Sequence, residues 1–194
     1  MRDQDAAFFV VAAAALALYL YSEQQAGESA GVIETVAGIV GDFGIDEMSA
    51  LQNPNLRAFL MVIRTGEGTA NANGYRTLFG GRLFDGFADH PRITVTASGY
   101  TSTAAGAYQF LARTWDGLGL PDFSPASQDI GAVMLIKRRG ALADVLAGRF
   151  ETAVRKCNKE WASLPGSPYG QPTVSLERAS ATFARWGGQT EAFA

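Results

Sequence analysis

One cysteine, one histidine and a single glutamate between Met48 and Phe150 bound the chemistry open to this 194-residue chain. With Cys157 alone no intramolecular disulfide can form. Its helical spacing with Phe150, Val154 and Trp161 marks a buried thiol rather than a nucleophile. His90 lies in "ADHPR" with no cysteine or second histidine nearby, which argues against a zinc site, and neither a metal nor another cofactor is expected. A Ser-His-Asp triad would have only that one base to draw on. No GxGxxG or phosphate-loop pattern occurs, so nucleotide chemistry has no foothold and no nucleic-acid partner is expected.

What the chain does have is a carboxylate in a distinctive place, Glu67 in "IRTGEGTANANGYRTLFGG". Upstream, Asn53 is a helix N-cap candidate, Pro54 suits the first helical position, and Leu56, Phe59, Leu60 and Ile63 share one face. Three turns after Leu56 bring Glu67 back onto that apolar stripe. There, desolvation and the negative pole of the helix both favour the protonated acid. A proton held near neutral pH is what a general acid needs. The competing reading is a solvated glutamate in a Gly-rich helix end.

Charge is unevenly placed. Residues 1–53 hold one basic residue, Arg2, and eight acidic ones, whereas residues 54–194 hold fifteen Lys/Arg against eleven Asp/Glu. Only the later part is suited to approach an anionic polymer. Residues 6–21, "AAFFVVAAAALALYLY", carry no charge and make about 24 Å of helix, short of the ~30 Å hydrocarbon core unless the flanks are drawn in. Arg2 precedes this segment, Glu23 and Glu28 follow it, and Tyr19 and Tyr21 suit an interface. An uncleaved single-pass anchor is therefore expected, with the C-terminal domain on the non-cytoplasmic side. A cleaved signal peptide is the rival reading; the charge-poor start and the lack of a small-x-small site after Tyr21 speak against it.

Three parts are expected: an anchor over 1–24, an amphipathic linker over 25–53 and a globular domain over 54–194. In the linker, Val32, Ile33, Val36, Ile39, Val40 and Phe43 form one face, suited to a membrane, to a partner or to the protein's own domain. In the domain, "GGRLFDG" and "RITVTAS" read as short strands. Helices are expected over "SPASQDIGAVMLIKRRG", with Ser124 as cap and Gly140 as stop, and over residues 142–146, 151–161 and 175–186. The class is α+β, mainly helical with a small β lobe, and a cleft between the two parts.

The segments "GEGTANANGYRTLFGGRLF", "DHPR", "TSTAAGAYQFLARTWD", "DFSPASQD", "IKRRGAL" and "CNKEWASLPGSPYGQ", in that order and spacing, resemble the lambda-type phage endolysins. The resemblance runs from Leu56 to about Gly188. It implies a lysozyme-like fold and cleavage of the peptidoglycan glycan strand as a lytic transglycosylase, with Glu67 on the family's catalytic glutamate. Such an enzyme protonates the leaving oxygen and lets the muramic acid's own C6 hydroxyl attack, so one carboxyl group suffices. A muramidase hydrolysing the same bond would need a second carboxylate, for which Asp85, Asp89 and Asp116 are the candidates.

Glycan-binding candidates are Ser102, Thr103, Tyr108 and Gln109 on one wall and Tyr169 and Gln171 on another, with Tyr75 beside them. The family commonly has an acidic residue after its Gly-Tyr pair; Arg76 stands there in this chain. A phage enzyme that opens the bacterial wall during entry or lysis, anchored in the virion membrane or host inner membrane, is the expected function. The other reading is a structural or glycan-binding component of a membrane-containing particle with no catalysis.

Overall fold

The computed structural model describes residues 45–191. The expected anchor at 6–21 and most of the linker lie outside these residues; among those described, no helix is long and apolar enough to cross a membrane. A short helix, α1 (Ile45–Ala50), ends where the second of two units begins, at Ala50.

That second unit opens with α2 (Pro54–Gly66). The Asn53 side chain accepts hydrogen bonds from the Asn55 and Leu56 amides at 2.9 and 3.3 Å, and Pro54 occupies the first turn, where a missing N–H costs nothing. Leu56, Phe59 and Ile63 are fully buried along the expected stripe. Each such side chain contributes roughly 1.5–3 kcal/mol on leaving water. The stripe packs on α7 (Leu176–Arg185) and α5 (Leu142–Leu146). Phe150, which opens α6 (Phe150–Cys157), stands edge-on to Phe59 at 6.1 Å and against Phe183 at 4.7 Å.

A second aromatic cluster joins the smaller lobe to α4 (Pro125–Arg138). Phe123, just before α4, packs perpendicular to Trp115 of α3 (Ala112–Asp116) at 4.6 Å, and Phe110 lies 5.0 Å from Trp115. Ser124 caps α4 by accepting from the Ser127 amide, and Gly140 closes it with a φ of 65° that other residues rarely adopt.

Only one of the two expected strands forms. In "RITVTAS", β1 (Val95–Ala97) pairs antiparallel with β2 (Tyr100–Ser102) through a two-residue turn, Ser98–Gly99, with both φ values positive. "GGRLFDG" is instead the end of a 3₁₀ turn (Phe79–Gly81), because Gly80 and Gly81 take φ of 78° and 88°, and only isolated bridges, Thr77 to Leu83 among them, remain. Ser102, the first residue of the expected glycan wall, is the last residue of β2. Helix α3 carries no apolar period long enough to be seen in sequence, and α6 ends at Cys157 rather than reaching Trp161.

Candidate functional site

Glu67 is the C-cap of α2, its amide bonded to the carbonyl of Ile63 at 2.9 Å. Its half-buried carboxyl meets Ser163, whose hydroxyl donates to Oε1 at 2.7 Å. Desolvation raises the Glu67 pKa above the ordinary glutamate value, and the Ser163 hydrogen bond offsets part of that rise. The approach needs a glycine before the glutamate: a Cβ on Gly66 would stand 2.5 Å from Ser163 Oγ. Ser163 is itself fixed by the Val174 amide, which donates to its carbonyl at 2.9 Å.

The turn after Glu67 is tied to the loop 103–110. Fully buried Thr69 donates its hydroxyl to the Ala107 carbonyl. On the other side, the Trp161 indole donates to the Tyr108 carbonyl at 3.1 Å. Gln128 of α4 completes the frame, accepting from the Ala107 amide at 2.8 Å and donating to the carbonyls of Phe123 and Tyr75 at 2.8 and 3.0 Å. Gly106 is obligatory beside it, since a Cβ there would lie 2.2 Å from Gln128 Oε1 and its φ is 79°. Three segments are thus drawn around one carboxyl group.

Among the sequence candidates, Tyr108 requires correction. Expected to offer its ring to a sugar, it is only 2 % exposed, and its hydroxyl donates to Asp129 Oδ1 at 2.6 Å. The Asp129 carboxylate on α4 draws the phenol inward, and burial together with that charge pushes its pKa well up. Tyr75 also donates to Asp129, at 2.9 Å, while Arg64 lies over its ring at 4.5 Å, which leaves it half-buried. Ser102 accepts from the Ala104 amide and Thr103 from the Ala112 amide at the start of α3, so both hydroxyls shape the loop. Gln109, at a φ of 50°, donates its amide to the carbonyls of Thr77 and Gly106, each at 3.0 Å, and its oxygen has no partner among the described residues. Tyr169 is 56 % exposed with its hydroxyl on the Lys159 carbonyl, and Gln171 is exposed.

The three aspartates all sit in ion pairs: Asp85 with Arg76, and Asp89 and Asp116 with Arg92 at 3.0 and 2.7 Å. Arg76 therefore does not merely replace an acid; it holds one nearby. His90 is buried, donating Nε2–H to the Phe110 carbonyl at 2.8 Å and accepting the Arg92 amide at Nδ1, with its pKa lowered chiefly by desolvation. The Cys157 thiol is buried and pushed up to about 12. Among the described residues no His/Cys/Asp/Glu group could hold a metal ion.

Sequence reasoning missed Ser163, Thr69, Gln128 and Asp129. Ser163 lies inside a segment quoted for the family resemblance, and the small Gly66 facing it was the available signal. The other three also lie inside quoted segments, Thr69 in "GEGTANANGYRTLFGGRLF" and Gln128 and Asp129 in "DFSPASQD", but are ordinary polar residues whose partners are remote in the chain.

A family model described as Endolysin matches residues 57–190. The endolysin of Escherichia phage lambda is 43 % identical over 147 residues, covering 70 % of this chain and 93 % of that protein. The endolysin of Escherichia phage P2 is 41 % identical over 154 residues, 69 % and 93 % of the two chains. Among solved structures, bacteriophage lambda lysozyme complexed with a chitohexasaccharide superposes with a TM-score of 0.68 at 41 % identity, over 72 % of this chain and 97 % of that one. A second structure of lysozyme from bacteriophage lambda gives 0.63 at 40 % identity, with the same coverage.

Proposed function

The chain belongs to the endolysin family, the phage enzymes that degrade peptidoglycan, and we propose that it cleaves the MurNAc–GlcNAc β-1,4 bond as a lytic transglycosylase. The observation that carries this reading is the setting of Glu67, a desolvated carboxyl with one hydroxyl donor and, among the described residues, no second carboxylate bonded to it. Protonated Glu67 gives its proton to the leaving oxygen as the glycosidic bond breaks. The muramic C6 hydroxyl then attacks the anomeric carbon and its proton passes to the Glu67 carboxylate, which restores the acid. The Ser163 hydroxyl stabilises that carboxylate in the interval. Asp85, Asp89 and Asp116, the carboxylates a muramidase would have to draw on, are each engaged with an arginine.

Mass spectrometry of cleaved cell wall in heavy-oxygen water tests the chemistry. Unlabelled 1,6-anhydro muramic ends, absent with Glu67→Gln, are expected. Labelled reducing ends would make the enzyme a muramidase, and cleavage by neither protein would leave only a glycan-binding component.

The same reading places the enzyme in the virion membrane or host inner membrane, tethered through residues 6–21 with the catalytic domain facing the wall, and gives residues 25–53 to neighbouring virion or membrane proteins. The uncharged run of 6–21 and the acid-rich start support it. Full-length protein should resist alkaline carbonate extraction; complete release would defeat the tether.

A further inference from the structure

The two segments that frame Glu67 continue into a pocket of about 260 Å³, lined by Gln109, Leu111, Thr114, Lys159, Trp161 and Tyr169 among others. The Trp161–Tyr108 hydrogen bond fastens these segments together. Two positions beyond Trp161 stands Ser163, bonded to Glu67, and two positions before Gln109 stands Ala107, bonded to Thr69. Two residues of chain reach at most about 7 Å, so the pocket adjoins the acid rather than occupying a remote face.

Its lining has a definite chemical character. Leu111 and Tyr169 are 49 % and 56 % exposed, an apolar pair left facing solvent. Among the described residues the Lys159 side chain has no hydrogen-bond or ion-pair partner, whereas Glu160, which also lines the pocket, is paired with Arg139 at 2.7 Å. The pocket therefore offers an unpaired ammonium, the Thr114 hydroxyl, the free Gln109 oxygen and a short apolar wall. The ammonium can donate to a neutral sugar hydroxyl, but it bonds more strongly to a carboxylate. A ligand with a carboxylate, amide N–H groups and short aliphatic side chains uses every element.

We propose that this pocket receives the acidic stem peptide carried by the muramic lactyl ether. The proposal rests on the peptidoglycan reading, because that substrate brings such a peptide close to the bond being cut. Binding there adds affinity that bare glycan cannot supply, so peptide-bearing strands become the preferred substrate.

The test compares intact glycan strands with strands stripped of peptide by an amidase and methyl-esterified at the lactyl carboxyl that the amidase leaves free. Wild type should show about tenfold higher kcat/KM on the intact strands. Lys159→Gln should bring that ratio below about twofold by lowering only the intact-strand value, and Lys159→Arg should restore it. Equal rates for wild type on both substrates, or an equal loss on both in Lys159→Gln, would overturn the proposal. A second measurement is independent of catalysis: titrating the tripeptide L-alanyl-γ-D-glutamyl-diaminopimelate into wild type and Glu67→Gln should shift the Trp161 indole resonance in both, and not in Lys159→Gln. No shift in wild type would overturn the pocket even if cleavage proceeds. Shifts without any cleavage would overturn the catalytic reading and keep the pocket.

Discussion

Tyr108 and Asp129, on a loop and a helix, are joined by a 2.6 Å hydrogen bond that turns a ring suited to sugar binding into part of the protein's frame. Tyr108→Phe should therefore lower stability by about 2 kcal/mol, the scale of a hydrogen bond to a charged group. Urea denaturation would measure it. Activity at low temperature should stay close to wild type; a raised KM with unchanged stability would return Tyr108 to the binding surface.

Ser163 lowers the pKa of Glu67 against the larger effect of desolvation. Ser163→Ala should leave the acid protonated to higher pH and move the alkaline limb of kcat/KM upward. The rate at the optimum should fall by much less than the ~10²-fold or greater loss expected on removing the acid itself. An alkaline limb that does not move would show that the hydroxyl is not coupled to the working proton.

Glu67 also costs stability. Its folded pKa is raised, so above the ordinary value of 4.5 the folded state holds a proton that the unfolded state has released, and stability falls as pH rises through that window. Glu67→Gln should consequently be more stable than wild type at neutral pH, with the advantage shrinking as pH falls toward that ordinary value and levelling off below it. Thermal unfolding at acid and neutral pH would show this. A constant difference at all pH would argue against a desolvated carboxyl.

His90 gives the opposite slope. Its folded pKa lies below the ordinary 6.5, so below that value the unfolded state binds the proton more readily and stability declines as pH falls toward the folded pKa. As the chain's one histidine it gives an assignable imidazole signal by NMR. That signal should titrate below 6.5; titration at or above it would contradict a buried ring held between Phe110 and Arg92.

The helices were legible in the sequence wherever an apolar period coincided with a cap. Asn53–Pro54 and Ser124–Pro125 fix two starts, and Gly140 fixes a stop, because each acts within a few residues of itself. Glu67 was legible for the same reason, standing one turn past Ile63 on a visible stripe. Tyr108 was misplaced because the group that buries it lies on another helix, and no local pattern announces Asp129. "GGRLFDG" failed as a strand because its paired glycines serve positive φ rather than extension.

Glu67 and Ser163 stand 96 positions apart, and Ser163 is held in turn by Val174. Synthesis runs from the N-terminus, so the ribosome makes the acid early and its setting late. A nascent chain that has not yet delivered Trp161, Ser163 and Val174 carries at position 67 a solvated glutamate with an ordinary proton affinity. A premature stop before Val174 thus yields an inert fragment, and the cell that makes this enzyme meets its wall-cutting chemistry only once translation has passed Val174.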